Sequence, residues 1–165
     1  MKNIKITRKI TQGMYVLTTQ NGGCIVDAVS QISSGDNPLI AVSVMKSNYT
    51  NELIKKSGKV NISVLSNEAD MLLIGKYGFR TGRDFNKFDS TETIVGENGV
   101  PCVKKHTVSY FETKVINEVD AGTHTIFLLE VENAVRLNDK TPMTYDYYHR
   151  VVKGKTPKNA ATFSN

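Results

Sequence analysis

Small polar side chains cluster between residues 23 and 50, where two apolar runs enclose a turn-rich loop. The first cluster consists of Asp27, Ser30, Gln31 and Ser33. The second cluster stands directly before a helical pattern and consists of Lys46, Ser47, Asn48 and Thr50. A helix start offers unpaired backbone N–H groups and the positive end of the helix dipole, so hydroxyls and a lysine placed there suit a phosphate. The two clusters together predict a site for a phosphate-bearing ligand.

Strands and a helix must position these clusters. Val, Ile and Ala dominate residues 24–29 and 39–45, and the Ser-Ser-Gly-Asp-Asn-Pro segment between them is typical of a turn. The β-branched run at 13–19 is followed by Asn-Gly, which tolerates positive φ, so we expect an antiparallel hairpin there. After the second cluster, the apolar pattern over residues 49–57 and the glycine at position 58 predict a short helix.

Further strands dominate the rest of the chain. Alternation over residues 59–65 predicts a half-buried strand with a polar or interfacial opposite face. Residues 67–70 predict the start of a second helix, with Asn67 as its cap. Two β-rich runs, 107–116 and 123–132, flank an Asp-Ala-Gly turn and predict a hairpin of long antiparallel strands.

Two segments are less regular. Residues 79–89 mix aromatic and basic side chains, and we expect the three phenylalanines there to pack into a core because large aromatic side chains are mostly buried. Residues 143–148 predict a short strand or helix. Many strands, few short helices and no linker or repeat predict a single domain over residues 1–165. Its predicted class is mainly β with short α-helices, in a closed or split antiparallel barrel.

The composition is typical of a soluble globular protein. Of 165 residues, 39% are apolar and 22% are charged, and no apolar run approaches the ~18 residues of a membrane span. The N-terminal segment has no continuous apolar core, so no secretory signal is predicted. Cys24 and Cys102 stand far apart and outside any metal-ligand spacing, so we expect both to be reduced. These features favour the cytoplasm and give no support for a metal.

The charge pattern and the missing motifs narrow the function classes. The net charge of +5 suits anionic cofactors, an acidic protein or nucleic acid. The basic residues are scattered without aromatic interleaving, which argues against nucleic acid. No Ser-His-Asp order, His-Glu-x-x-His, paired acids or Gly-rich phosphate loop supports a hydrolase or metal enzyme. No Gly-x-Gly-x-x-Gly follows a strand, so a nicotinamide nucleotide would bind transiently and outside any Rossmann domain.

Six segments, taken in order and spacing, resemble a known family. They are Val-Asp-Ala-Val-Ser at 26–30, Asn-Pro-Leu-Ile-Ala-Val-Ser-Val at 37–44, Asn-Tyr-Thr at 48–50, Gly-Arg-Asp-Phe-Asn-Lys-Phe at 82–88, Thr-His-Thr-Ile-Phe at 123–127 and Pro-Lys-Asn-Ala-Ala-Thr-Phe at 157–163. Over nearly the whole chain they resemble the flavin reductase-like family, the FMN-binding split barrels that include the flavoredoxins.

The resemblance implies an FMN site and assigns roles to residues. The ring or ribityl chain would be served by Asp27, Ser30, Gln31 and Ser33, and the phosphate by Ser47, Asn48 and Thr50. Lys87 would stabilise negative charge on the reduced ring, His124 would bind the cofactor or relay a proton, and Phe163 would cover the ring. The family often has Asn where this chain has Asp27, and an ionised carboxylate can only accept hydrogen bonds.

Four of these residues also have a purely structural interpretation. Thr50 would then be only a helix-start hydroxyl, and Lys87 an ordinary surface lysine. His124 would be a structural histidine near a turn. Phe163 would be disordered or form a local clasp in a polar tail.

The function implied by the resemblance is that of a flavin reductase. Hydride would pass from NADH or NADPH to FMN, and electrons would then go to free flavin or a redox protein, with no dedicated acid or base needed. The resemblance also implies a homodimer with the flavin near the subunit interface. A flavoredoxin-type electron carrier without nicotinamide activity is one alternative. A non-redox β-barrel binding module is the other. Neither a nucleic acid nor a membrane is expected as a partner.

Overall fold

The computed structural model of the chain describes residues 4–158 and 160–163. The strands in this part of the chain are β1 Tyr15–Thr19, β2 Gly22–Val26, β3 Val29–Gln31, β4 Leu39–Met45, β5 Lys59–Leu65, β6 Thr93–Val95, β7 Pro101–Val103, β8 Thr107–Ala121 and β9 His124–Arg136. The helices are α1 Tyr49–Ser57, α2 Met71–Gly78 and α3 Tyr145–Arg150, preceded by a 3-10 helix at Ile4–Lys9. Asn159, which belongs to the tail segment of the family resemblance, lies outside the described residues.

The main sheet curls into a half-barrel. Its antiparallel strands follow the order β2-β1-β5-β8-β9-β4-β3, while β6 and β7 form a separate hairpin. β2 and β3 lie at the two ends of this order, although only Asp27 and Ala28 separate them in the sequence. Because the chain advances at most ~3.6 Å per residue, so short a link requires the sheet to bring its ends together. The prediction of a mainly β, split antiparallel barrel is confirmed.

The hairpins expected from turn residues are present. β1 pairs antiparallel with β2 from Tyr15 opposite Val26 to Thr19 opposite Gly22. β8 and β9 form a hairpin longer than predicted, which closes with Ala121 opposite His124. The β6–β7 hairpin was not predicted, because its two strands have only three residues each and show no readable alternation.

Side chains are buried on both faces of the sheet. Leu17, Val42 and Phe127 belong to the cluster inside the curl. Val16 and Tyr77 belong to a second cluster, formed where α2 and α3 pack on the outer face. Neighbouring residues of a strand point to opposite faces, so the burial of both Val16 and Leu17 shows that this strand is covered on each side.

β5 differs from the half-buried strand that its alternation predicts. Asn61 and Ser63, on the supposed polar face, are both 0% exposed, so that part of the prediction is wrong. The reason is the β7 segment, which covers this face. Asn61 Nδ2 donates to the carbonyl oxygen of Val100 at 2.9 Å, and the backbone N–H of Val103 donates to Ser63 Oγ at 3.1 Å. Polar residues are tolerated here because backbone groups of the covering segment satisfy them.

Helix ends agree with the predictions except at α2. α1 begins and ends as predicted, with Asn48 as its cap and Gly58 in the left-handed region at φ 66°. The predicted Asn67 cap of α2 is wrong. Asp70 caps this helix by accepting from the backbone N–H of Leu73 at 2.8 Å, because residues 66–69 form a separate turn. The ambiguous segment near residue 145 is a helix, α3, capped by Thr144.

The segment from residue 79 to 89 reverses the expected burial. Phe79 is 50% exposed, and Phe85 and Phe88 are only partly buried, so the prediction that these rings fill a core is wrong. Lys87 is instead the buried residue, with 1% exposure. The phenylalanine rings lie at the surface, where the guanidinium of Arg80 stacks 4.8 Å from the ring centre of Phe85.

No helix among the described residues is long and apolar enough to cross a lipid bilayer.

Candidate functional site

A cavity of about 580 Å³ opens beside the start of α1. Three parts of the chain form its walls. These are β2 with the segment that leads into α1, the end of α2 with the loop after it, and the C-terminal tail. The cavity falls within the range of roughly 300–1,000 Å³ that is usual for cofactor sites.

The α1 wall contains part of the predicted phosphate cluster. Ser47 and Asn48 line the cavity, and Asn48 Oδ1 accepts from the backbone N–H of Thr50 at 2.9 Å. Thr50 is buried behind this wall, beside the thiol of Cys24. Burial raises the pKa of the Cys24 thiol to about 11, while the Thr50 hydroxyl acts in the opposite direction. The thiol at this wall is therefore protonated at neutral pH.

The α2 wall is a loop that Lys87 holds from behind. Lys87 Nζ donates to the carbonyl oxygen of Lys76 at 2.6 Å and to that of Arg80, and it lies 5.7 Å from the ring centre of Tyr77. Burial is the main reason why the pKa of this ammonium is lowered to about 8. Tyr77 and Arg80 both line the cavity, so Lys87 sets the shape of this wall.

A glycine at the end of this loop permits a close approach to α1. A Cβ on Gly82 would lie 3.2 Å from Tyr49 Cδ1 and 3.9 Å from Lys87 Cε. Gly82 and Tyr49 both line the cavity, so the two walls meet where only a glycine fits without movement.

The third wall is the tail, which folds back over α3. Tyr148 Oη donates to the carbonyl oxygen of Lys155 at 3.0 Å, and Tyr145 Oη and Thr156 Oγ1 share a hydrogen bond of 2.6 Å. These bonds place the backbone of residues 155–158 at the cavity, and Phe163 lines it as well. Phe163 therefore lies where a ligand in the cavity would meet its ring, and the contact between them stays a prediction.

Asp27 and His124 lie outside the residues that line the cavity. Asp27 is 3% exposed and accepts a hydrogen bond from the hydroxyl of Thr162 in the tail. Burial raises the pKa of the Asp27 carboxyl, and the charge of His124 acts weakly in the opposite direction. His124 Nδ1 shares a hydrogen bond of 2.9 Å with Thr123 Oγ1. Asp27 thus contacts the tail through Thr162, and His124 lies near Asp27.

The other members of the first polar cluster lie elsewhere. The link at Asp27 and Ala28 leads into β3, at the other end of the strand order from β2. This end of the sheet contains Ser30, Gln31 and Ser33. Ser33 Oγ accepts from the backbone N–H of Leu39 at 2.8 Å and so stabilises the β3–β4 turn. Gln31 lines a second cavity of about 700 Å³, which shares no lining residue with the first. The structure therefore does not bring these three residues to Ser47 and Asn48.

Among the residues that the structure describes, the charged lining of the first cavity is entirely cationic. Arg80, Lys155 and Lys158 line it, and no Asp or Glu does so in the described part of the chain. Sequence reasoning missed all three as site residues. The available signal was local, since Arg80 lies between two glycines and the lysines flank a proline, but isolated cations in loops are usually solvated surface.

These features fit FMN. A phosphate needs positive charge and donors, which the three cations and the α1 start provide. A flavin ring needs an apolar wall with polar atoms at its edge, and Tyr49, Phe79 and Phe163 supply aromatic surface next to backbone groups of residues 78–82. No carboxylate of a described residue lines the cavity, so these residues do not repel the phosphate.

Known proteins are similar to this chain in sequence or in fold. The model of the Flavin reductase like domain matches residues 7–155. A protein of Archaeoglobus fulgidus named ferric-chelate reductase (NAD(P)H) is 42% identical over 160 residues, which cover 94% of each chain. A protein of Moorella thermoacetica named high molecular weight rubredoxin is 42% identical over 164 residues, covering 97% of this chain and 71% of that protein.

A solved structure shows the same fold at low identity. It is the NADH:FAD oxidoreductase SgcE6 of Streptomyces globisporus, with a TM-score of 0.76 and 22% identity, covering 85% of this chain and 84% of that one. The predicted resemblance and the predicted class of flavin-dependent oxidoreductase are confirmed. With the family model matched over most of its length, the chain belongs to the flavin reductase-like family.

Proposed function

We propose that this protein binds FMN in the first cavity and passes hydride from NADH or NADPH to it, with electrons then leaving to an acceptor. The main observation behind this proposal is the cavity of about 580 Å³ beside the start of α1, whose charged lining residues, in the described part of the chain, are all cations. The relative named as an NAD(P)H-dependent ferric-chelate reductase supports a nicotinamide as the reductant. FMN, when bound, supplies the hydride-accepting ring.

Each wall of the cavity has a separate task in this proposal. Ser47 and the backbone at the α1 start bind the phosphate, together with one or more of the cavity cations, Arg80, Lys155 and Lys158. Phe163 and Tyr49 provide apolar surface for the ring and exclude water from it. Lys87 holds the carbonyl oxygens of Lys76 and Arg80 and so fixes the α2 wall.

Lys87 also contributes charge near the cavity. Its ammonium is buried, so its field is less screened than that of a surface lysine. A fixed cation at this depth favours a ligand that gains negative charge on reduction. Thr50 has a supporting task, because it packs against Cys24 behind the α1 wall.

A homodimer and a redox-protein acceptor belong to the same proposal. Phe79 lines the cavity and is half exposed, which suits a position near a subunit face. The relative named high molecular weight rubredoxin, of which this chain spans 71%, supports a rubredoxin as the electron acceptor. The two buried, free cysteines suit the reducing cytoplasm. Light scattering should give twice the mass of one chain, and a monomer would contradict the dimer.

A fluorescence titration with FMN tests the proposed site. Arg80→Gln and Lys158→Gln should each raise the Kd for FMN or for the nicotinamide by about tenfold, as expected from losing about 1.4 kcal/mol of charge-assisted bonding. Lys104→Gln removes the same charge from an exposed ion pair with Glu92 and serves as the matched control. If Arg80→Gln and Lys158→Gln both bind FMN and the nicotinamide like the parent protein, the cavity is not the site.

The flavoredoxin-type carrier is the second proposed function, and the rubredoxin-named relative favours it. Such a carrier would hold FMN and exchange electrons only with proteins. Steady-state oxidation of NADH and NADPH, with and without added FMN, separates the two functions. Turnover with either nucleotide supports the reductase, whereas FMN binding without any turnover supports the carrier.

A further inference from the structure

We propose that Asp27 is a positioning residue that fastens the C-terminal tail over the cavity. Its carboxylate accepts a hydrogen bond from the hydroxyl of Thr162, and this contact holds the adjacent Phe163 in the cavity wall. The inference rests on the proposed function only in naming FMN as the ligand that the tail covers. Asp27 therefore acts on the ligand through the tail and makes no direct contact with it.

The position of Asp27 in the fold suits a fixed anchor. It lies in the two-residue link between β2 and β3, where the ends of the curled sheet meet. The backbone N–H of Val29 donates to the Asp27 carbonyl oxygen at 3.0 Å, and that of Ser43 donates to the Ala28 carbonyl oxygen at 3.1 Å. These bonds fix the link, so the carboxylate is presented from a rigid element.

The tail reaches this anchor from the opposite side. Its near part is tied to α3, through the bonds of Tyr148 to Lys155 and of Tyr145 to Thr156. Its far part is tied to the sheet through Thr162, which is 135 residues from Asp27 in sequence. Between the two ties run cavity-lining residues that include Pro157 and Lys158, and Phe163 follows directly after the second tie. The tail is thus a strap fixed at both ends.

Because Asp27 is buried, its hydrogen bond with Thr162 stabilises the position of the tail. A carboxylate that is 3% exposed needs hydrogen-bond donors, because an unpaired buried charge is costly. The Asp27 carboxylate is faced by the Thr162 hydroxyl, by the backbone N–H groups of Asp27 and Ala28, and by His124. Tyr145 also lies near, and the negative charge of Asp27 contributes to raising the pKa of its phenol. An asparagine could still accept from Thr162, but an alanine could not.

The test places a reporter in the tail. The chain has no tryptophan, so Phe163→Trp provides a single tryptophan reporter at the end of the strap. Acrylamide quenching of this reporter is measured on flavin-free protein in four single-variant backgrounds and in the Asp27→Ala/Thr162→Val double variant. Two of them remove the bond, Asp27→Ala and Thr162→Val, and two retain it, Asp27→Asn and Thr162→Ser. Thr141→Val, at an exposed threonine outside the tail, is the matched control.

Thr162→Val and Asp27→Ala should each raise the quenching constant severalfold, and the double variant should match the larger single effect. The quenching constant should stay close to that of Phe163→Trp alone in the three variants that keep the bond or lie outside the tail, Thr162→Ser, Asp27→Asn and Thr141→Val. On the Phe163 background, the Kd for FMN should rise about tenfold only where the bond is lost. If Asp27→Ala fails to fold, Thr162→Val, in the half-buried tail, still decides.

Two results would overturn the proposal. One is unchanged quenching in Thr162→Val, which would mean that the tail stays in place without the bond. The other is an additive double variant, which would mean that Asp27 and Thr162 act separately. Because quenching is read without flavin, a protein that fails to bind FMN at all would refute the proposed function while leaving this test of the tail intact.

Discussion

Lys87 is buried behind the α2 wall of the cavity because backbone carbonyl oxygens accept hydrogen bonds from its ammonium. A lysine in a loop would ordinarily be solvated, yet this one is 1% exposed and donates to the carbonyl oxygens of Lys76 and Arg80. These acceptors lie where α2 ends, and the last carbonyls of a helix lack intrahelical partners. The family resemblance marked Lys87 as important, but its burial could not be predicted because its partners stand seven and eleven residues earlier.

Replacement of Lys87 by Met should loosen the α2 wall. The methionine fills most of the space but leaves the two carbonyl oxygens without their donor, at a cost of about 1–3 kcal/mol each if they stay buried. We expect a Kd for FMN at least about tenfold higher. Isothermal titration calorimetry measures it, with Lys104→Met, an exposed lysine, as the control. Equal affinities in Lys87→Met and the parent protein would contradict this role.

Lys87 also predicts a pH dependence of stability. Its pKa is about 8 in the folded protein against an ordinary 10.5, so between these values the unfolded chain binds more protons. The free energy of unfolding of the parent protein, relative to Lys87→Met, should therefore rise as the pH goes from about 8 to 10.5. Urea titrations at several pH values measure the difference. A flat difference across this range would show that the ammonium is not desolvated.

Asp27 predicts the opposite trend. Burial raises the pKa of this carboxyl above its ordinary 3.8, so just above that value the folded protein binds more protons than the unfolded chain. Its contribution to stability falls as the pH rises through the folded pKa and stays unfavourable at neutral pH. Asp27→Asn should therefore be more stable than the parent at pH 7 and lose this advantage in acid. Urea titrations of both proteins at several pH values measure the difference, and a difference that does not change with pH would contradict the desolvation of this carboxyl.

At the scale of elements, local signals located the bounds of elements better than their buried faces. α1 agrees with the prediction residue for residue, because its cap Asn48 and its terminating Gly58 are both next to it in sequence. The faces of β5 were misjudged, because the groups that bury Asn61 and Ser63 come from Val100 and Val103, about forty residues later. Burial of a polar strand face depends on a covering segment that the strand's own sequence does not reveal.

The corrected cap of α2 can be tested by substitution. Asp70→Ala should lower the free energy of unfolding by about 1 kcal/mol, because the N–H of Leu73 loses its acceptor. Asn67→Ala should cost less, since Asn67 lies before the helix and does not cap it. Thermal or urea denaturation measures both. Asp70→Asn is the control, because it keeps a capping side chain. A larger loss of unfolding free energy in Asn67→Ala than in Asp70→Ala would restore Asn67 as the cap.

In the candidate site, too, local features led to residues that line the cavity, whereas positions that depend on distant contacts were not predicted. Ser47 and Asn48 were found because the α1 start is a local feature, and both line the cavity. Ser30, Gln31 and Ser33 were grouped with them by nearness in sequence, but the link at Asp27 and Ala28 sends them to the other end of the strand order. The cations of the tail were missed because their approach depends on the strap from α3 to Asp27.

At the scale of the whole molecule, the half-barrel explains how distant parts of the chain share one cavity. Its curl brings the β2–β3 link to the tail, while α1 and α2 flank β2 at the same site. The sequence could indicate this architecture because its hairpins and alternation are strong local signals. It could not indicate the closure of the cavity by the tail, since that rests on contacts across more than a hundred residues.

The most direct measurement of the central claim is the visible absorbance of the FMN-loaded, desalted protein during anaerobic titration with NADH and, separately, with NADPH. We expect one retained FMN per chain, whose oxidised absorbance is lost with one equivalent of at least one nucleotide. The same titration of Arg80→Gln should require more FMN or more nucleotide. A protein that carries no FMN, or whose bound FMN stays oxidised with both nucleotides, would contradict the proposed reductase.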